Sequence, residues 1–279
     1  MAVEHIYQDE CVKANAEHFS EQAESYRNEL SMEVAKRCAS YILKKFPFDP
    51  NITEILDFAC GPGLIAFHLL PHAKRIVGAD AAQGMVEVFN RSVQEQGISP
   101  EKMHCIKVDC LKGDQTDIDG ALFDVIICVQ SYHHFEDPLH VTRAFVQRLK
   151  PKGRLMVIDF ANAGNIEQFF EYFLGNKGEH EHDHGHGHGH GHGHGHGHGH
   201  GHGHEHKHEN IIAHKHGFSS EQMIDMFKAA DLQNPQVECI FTMPKSEMKT
   251  YQGFEYFNKI MKSDVDFTFH YFMAYGDKG

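Results

Sequence analysis

The segment Ile55-Leu56-Asp57-Phe58-Ala59-Cys60-Gly61-Pro62-Gly63-Leu64 sets the narrowest limit on the fold. It leads from a strand-like apolar run into a helix-like run, 64–70, through a turn that holds two glycines. Glycine there lets the backbone turn sharply and approach a ligand, and the following helix offers N–H groups that have no partner within it. The alternation then repeats. Strands are expected at 52–58, 75–79, 104–108, 123–129 and 154–159, and helices at 64–70, 84–96 and 138–149. The run 123–129 is apolar apart from Asp124, as in a strand covered on both faces. Such an order predicts a parallel sheet with helices on both faces.

Outside this core, 19–45 reads as one amphipathic helix, ended by Pro47 and Pro50. The stretch 165–174 is a helix with an aromatic face, Phe169, Phe170 and Phe173. Ser219 and Ser220 are candidate N-caps for a helix at 221–230. Late strands at 235–242 and 267–275 lie too close for a full crossover, unless 246–262 provides a helix, so an antiparallel finish is expected.

The net charge of −13 argues against broad binding to nucleic acid or anionic membranes. No run approaches the ~18 apolar residues of a membrane span. The first residues, with Glu4, Asp9 and Glu10, lack the cationic and apolar blocks of a signal peptide. The seven cysteines are scattered and without CxxC spacing, which suggests reduced thiols in a cytoplasmic protein.

Three acids follow successive expected strands: Asp57, Asp80 and Asp109. Two cofactor classes compete for them. Gly61-Pro62-Gly63-Leu64-Ile65-Ala66 fits the dinucleotide pattern GxGxx[GA]. Asp57, however, sits poorly beside an anionic pyrophosphate and favourably beside the ammonium and sulfonium of S-adenosyl-L-methionine (SAM). Pro62 also removes an N–H that a phosphate would use. Asp80 stands where a carboxylate can accept both ribose hydroxyls.

With these motifs in place, the chain resembles the class I SAM-dependent methyltransferases, in particular the small-molecule branch similar to ubiquinone-biosynthesis enzymes. Residues 57–63 resemble that family's first motif, with Ala59 where glycine is usual. Residues 77–85 resemble its ribose segment, 123–135 its fourth strand and following loop, and 149–154 the turn into its fifth strand. Residues 19–26 resemble its N-terminal lid. The resemblance implies a Rossmann-like, mostly parallel seven-stranded sheet with an antiparallel last strand, a single methyltransferase domain over 1–279 and a helical lid at 19–45. It implies that Asp57, Gly61 and Gly63 hold the methionine part and that Tyr26 contacts it. Asp80 would take the ribose, Ala81 and Met85 would pack on adenine, and Asp109 with Cys110 would bind the adenine edge.

Tyr132, His133 and His134 lie just past the fourth strand, where an open α/β sheet places its ligands. Either histidine is a candidate general base, with Tyr132 orienting the substrate. One of the histidines bonding only to backbone is an equal reading. The aromatic groups around Phe169 and around Tyr251 either cap the pocket or simply fill the core. The expected function is methyl transfer from SAM to a small molecule by in-line displacement, without nucleic-acid or membrane partners; oligomeric state is left open.

Of 26 histidines, 15 fall between His180 and His208, alternating with glycine from His184 to His204. So much glycine cannot support packed structure, and 176–210 is expected to be a disordered insertion. His184, His186, His188 and His190 and their neighbours suit shifting binding of nickel, zinc or copper, without a fixed or catalytic site. Two rival functions remain at this point. One is a metal-binding protein on a degenerate methyltransferase fold; the other is an NAD(P)-dependent oxidoreductase.

Overall fold

The computed structural model describes residues 2–108, 118, 120–175, 211–253 and 260–279. Helix α1 (Ala2–Gln22) passes through a 3-10 turn at Ala23–Tyr26 into α2 (Glu29–Ile42). The single helix expected over 19–45 is therefore two pieces. Asn28 makes the break: its backbone is extended and its side chain accepts the Ser31 N–H at 2.9 Å, capping α2. The start of α1 was not legible, because its apolar residues gather no stripe at helical spacing.

Alternation follows: β1 (Glu54–Phe58), α3 (Leu64–Leu69), β2 (Arg75–Asp80), α4 (Gln83–Glu95), β3 (Met103–Lys107), β4 (Phe123–Val129), α5 (Pro138–Arg148) and β5 (Leu149–Phe160). Then come α6 (Ile166–Gly175), α7 (Ser220–Ala229), β6 (Leu232–Pro244), α8 (Lys245–Met248) and β7 (Thr268–Lys278). The seven strands form one sheet in the order β3-β2-β1-β4-β5-β7-β6. The first five pair in parallel, while β7 runs antiparallel to both β5 and β6. The antiparallel last strand is as expected. The short α8 is no crossover helix, and β6 pairs with β7 from Leu232↔Lys278 to Pro244↔Thr268.

Successive strand residues enter opposite cores. Ile55, Ile76, Val125 and Ile127 pack with Val34 and Cys38 of α2, Leu69 of α3 and Phe89 of α4. Leu56, Val77, Ile126 and Cys128 pack with Val141 and Phe145 of α5 and Met223 and Phe227 of α7. Each such side chain, fully buried, contributes about 1.5–3 kcal/mol before entropy is counted. Ser219 caps α7 as a capping box, accepting the Gln222 N–H at 3.1 Å while its own N–H donates to Gln222 Oε1 at 2.8 Å. Helix α1 rests on the first turn of α4. The approach is close enough that a Cβ at Gly84 would strike the Ser20 carbonyl. Among the described residues no helix is long and apolar enough to cross a membrane.

Candidate active site

The strand order reverses between β1 and β4, the place where open α/β sheets form a ligand crevice beyond their carboxyl ends. A cavity of about 310 Å³ lies there. Two walls of different character enclose it. One is built from the turns after β1, β2 and β4 and carries Asp57, Gly61, Asp80, Ser131 and His133. The other is apolar and comes from α2, α6, β6, α8 and β7, with Leu30, Phe169, Met243, Met248 and Tyr271. Helix α1 adds His18 and Phe19 above them.

Asp57, next to last in β1, is only 2% exposed, yet its Oδ2 has no hydrogen-bond partner among the described residues. Burial, and then the charge of Asp80, push its carboxyl up to about 8. Asp80 ends β2 and is differently placed. Its Oδ2 accepts the Gly61 N–H at 2.8 Å and its Oδ1 the Ala82 N–H at 2.9 Å. Burial raises its pKa, against the lowering effect of these backbone hydrogen bonds.

The glycine turn is held by backbone strain as well as by Asp80. Ala59, Gly61 and Gly63 have φ of 54°, 53° and 88°, in the region that favours glycine. Gly61 faces the cavity. Gly63 is not among the residues lining it; a Cβ there would lie 2.6 Å from the Phe89 ring. Its glycine therefore serves the packing of α4 against the turn. Beneath the turn the thiols of Cys60 and Cys105 are 3.4 Å apart, and burial pushes that of Cys60 well up.

Tyr26, Ala81 and Met85 line the cavity beside Asp80, and burial raises the Tyr26 hydroxyl's pKa. Asp109 and Cys110 lie outside the described residues, as do His184, His186, His188 and His190. Among the described residues no group of three or more His, Cys, Asp or Glu is placed to hold a metal ion.

The loop after β4 separates its three candidates. His133 and His134 line the cavity. Tyr132 does not: it is fully buried in the core under α5, its hydroxyl 3.0 Å from Thr142 Oγ1. Among the described residues it is brought to packing partners rather than to the pocket. His134 Nδ1 donates to the Ile211 carbonyl at 2.6 Å, while burial and the neighbouring His133 ring hold its pKa well below the usual range. His133 Nδ1 instead meets Asp159 Oδ1 at 2.8 Å. In the sequence Asp159 stands out only as the last residue of the apolar run 154–159. Its signal was present: it is one more acid near the carboxyl end of an apolar parallel strand, as Asp57 and Asp80 are. The aromatics Phe169 and Phe170 both fill the core and line the cavity; Tyr251 packs against the core only.

A parallel sheet reversed at β1 and β4, an antiparallel strand inserted before the last, a glycine turn and acids at the strand ends define the Rossmann-like fold of the class I SAM-dependent methyltransferases. Residues 56–157 match the family described as methyltransferase domain. An uncharacterized methyltransferase of Schizosaccharomyces pombe is 32% identical over 186 residues, 66% of this chain and 55% of the relative. The ubiquinone biosynthesis O-methyltransferase of Rickettsia conorii is 29% identical over 115 residues, 41% of this chain and 37% of the relative. The chain thus spans about half or less of the length of these curated relatives. The crystal structure of YcgJ from Bacillus subtilis shares the fold with a TM-score of 0.56 at 18% identity, covering 86% of this chain and 97% of that one. So does Haemonchus contortus phosphoethanolamine N-methyltransferase 2 in complex with SAM, with a TM-score of 0.55 at 12% identity, covering 86% and 52%. These likenesses give the metal-carrier and dinucleotide alternatives no support.

Proposed function

We propose that the protein transfers a methyl group from SAM to a small-molecule acceptor by in-line displacement. The observation that carries this reading is the Asp57 carboxylate, buried in the cavity wall with one oxygen unpartnered. A buried anion of this kind is costly unless a cation meets it, and an ammonium or sulfonium is the required complement. A pyrophosphate offers no such complement.

When bound, SAM supplies a methyl group made electrophilic by its positive sulfur. The chain's own residues then have distinct tasks. Asp57 offers its free oxygen to the cationic methionine part. Asp80 keeps the Gly61 turn in place and has lone pairs left for ribose hydroxyls. Ala81 and Met85 give an apolar bed for adenine, Tyr26 closes the site from the 3-10 turn, and Asp109 with Cys110 takes the adenine edge. The apolar wall excludes water and aligns the acceptor. The name of the Rickettsia relative, a ubiquinone biosynthesis enzyme, supports an acceptor of small-molecule size. The free thiols Cys38, Cys60, Cys105 and Cys128 suit the cytoplasm.

Calorimetry with SAM and with S-adenosylhomocysteine, followed by incubation with methyl-labelled SAM and fractionated metabolites, tests the reading. Binding of both nucleosides and label in a small-molecule fraction are expected. A folded protein that binds neither, or that binds NAD(P) instead, overturns it.

A further inference from the structure

His133 and Asp159 form a buried pair at the junction of the two cavity walls. Asp159 is 0% exposed. Its Oδ1 accepts the Phe160 N–H at 2.7 Å and faces His133 Nδ1 at 2.8 Å, and its Oδ2 accepts the His133 backbone N–H at 3.1 Å. One carboxylate thus fixes the ring and the main chain of the same histidine. Backbone N–H groups donate to both Asp159 oxygens, which marks the carboxylate as an acceptor and so favours the ring proton on Nδ1 and the lone pair on Nε2. Among the described residues Nε2 has no hydrogen-bond partner, and His133 lines the cavity. The His133 carbonyl accepts the N–H groups of Ala213 and His214 at 2.9 and 3.0 Å, so the loop is tied from a third side.

His134 is built differently. Its Nδ1 faces a neutral carbonyl, not a carboxylate, and burial with the neighbouring His133 ring outweighs what that carbonyl does for an imidazolium. The ionisable groups around the pair are His134 on the same loop and His214 on the following segment, with the hydroxyls of Tyr132 and Tyr271 and the thiol of Cys38 near Asp159; His18 of α1 acts on His134.

We infer that His133 is the general base for methyl transfer, that Asp159 is its positioning residue, and that the acceptor is an apolar molecule whose attacking atom arrives carrying a proton. This rests on the proposed methyltransferase reading. His133 Nε2 takes that proton as the acceptor atom forms its bond to the methyl carbon; the pair of the breaking C–S bond stays on sulfur, and the positive charge passes from sulfonium to imidazolium. Asp159 then lies against the new cation. An acceptor that needs no deprotonation would leave this arrangement without use. The apolar character of the acceptor follows from the wall next to His133, formed by Phe160, Phe170 and Tyr271.

The test uses the full chain in two ways. First, ring-nitrogen NMR of histidine-labelled protein, with the His133 signals assigned by their loss in His133→Gln, reads the tautomer with no substrate present. A protonated Nδ1 and a bare Nε2 are expected, and Asp159→Asn should shift the ring towards the opposite tautomer. A bare Nδ1 in the parent protein overturns the inference, whether or not Asp159→Asn folds. Second, with the acceptor fraction found by methyl labelling, His133→Gln should lower kcat ~10²–10⁴-fold and leave SAM affinity by calorimetry within about threefold. Asp159→Asn should lower kcat more than it raises KM, and kcat of the parent should rise with pH to a plateau that His133→Gln lacks. Normal SAM binding with undiminished turnover in His133→Gln sinks this inference alone. Absent SAM binding in the parent sinks the underlying reading.

Discussion

The Asp80 carboxylate accepts the Gly61 N–H at 2.8 Å, so the end of β2 holds the turn that leaves β1. The same carboxylate accepts the Ala82 N–H and lines the cavity. Asp80→Ala is therefore expected to weaken SAM binding by ~1–3 kcal/mol, the scale of hydrogen bonds to a charged acceptor. It should also lower thermal stability, because two amides lose their acceptor. Calorimetry on parent and variant decides; equal affinities would remove Asp80 from the cofactor site.

Asp57 links binding to pH. Its carboxyl is pushed up to about 8 in the folded chain, against ~3.9 in an unfolded one. Between these values the folded chain holds a proton that the unfolded chain has lost. The contribution to stability is thus fully present below the unfolded value and falls away as pH rises to about 8. SAM requires the carboxylate, so binding at neutral pH should release a proton. Affinity should rise by up to about tenfold per pH unit and level off above the folded pKa. Calorimetry in two buffers of different ionisation heat counts the proton. A count of zero at pH 7, or an unchanged profile in Asp57→Asn, would mean that Asp57 is not the group that meets the cation.

The turn itself makes opposite expectations for two neighbouring positions. Ala59 has φ of 54°, a conformation that costs a side chain ~1–2 kcal/mol. Ala59→Gly should raise Tm by ~2–4 °C, and a fall would show that the alanine methyl is needed for packing. Gly63→Ala should lower stability by ~1–3 kcal/mol, since its Cβ would overlap Phe89. In the double variant with Phe89→Leu the combined loss should be smaller than the sum of the two single losses. Additive losses would place the cost in the backbone alone.

The histidine tract is expected to be dispensable for the cofactor. The residues that tie the following segment to the active-site loop, Ile211, Ala213 and His214, all lie beyond it. Deleting 184–204 should leave SAM affinity within about twofold, the precision of such a comparison, because lengthening or shortening a loop changes closure entropy only slowly. Retention on immobilised nickel should fall sharply. A folded deletion protein with impaired SAM binding would show that the tract supports the site.

The sheet was legible because buried parallel strands must be apolar along their whole length, as Ile126, Ile127 and Cys128 are, and because glycine and acid mark their exits. The Ser219 cap was legible because capping is local chemistry. The break at Asn28 was harder, since an asparagine between two amphipathic stretches is equally at home within one helix. Tyr132 and His133 show the firmer limit. They are adjacent, yet one enters the core under α5 and the other the cavity, and no local pattern separates them. The Asp159–His133 pair joins residues 26 positions apart, and only the pairing of β4 with β5 brings them together. Gly63 is marked in the sequence only as part of a glycine turn, and the ring it makes room for, on α4, carries no local signal.

The two cavity walls also divide the gene. Asp57, Gly61, Asp80, Ser131 and His133 of the polar wall fall inside 56–157, the stretch that matches the methyltransferase family, while Leu30, Phe169, Met243, Met248 and Tyr271 fall outside it. On the proposed reading, most residues that hold the donor and most that choose the acceptor therefore lie on separate stretches of the chain. A duplicated copy of this chain can change what it modifies, wall residue by wall residue, without having to reinvent how it does so.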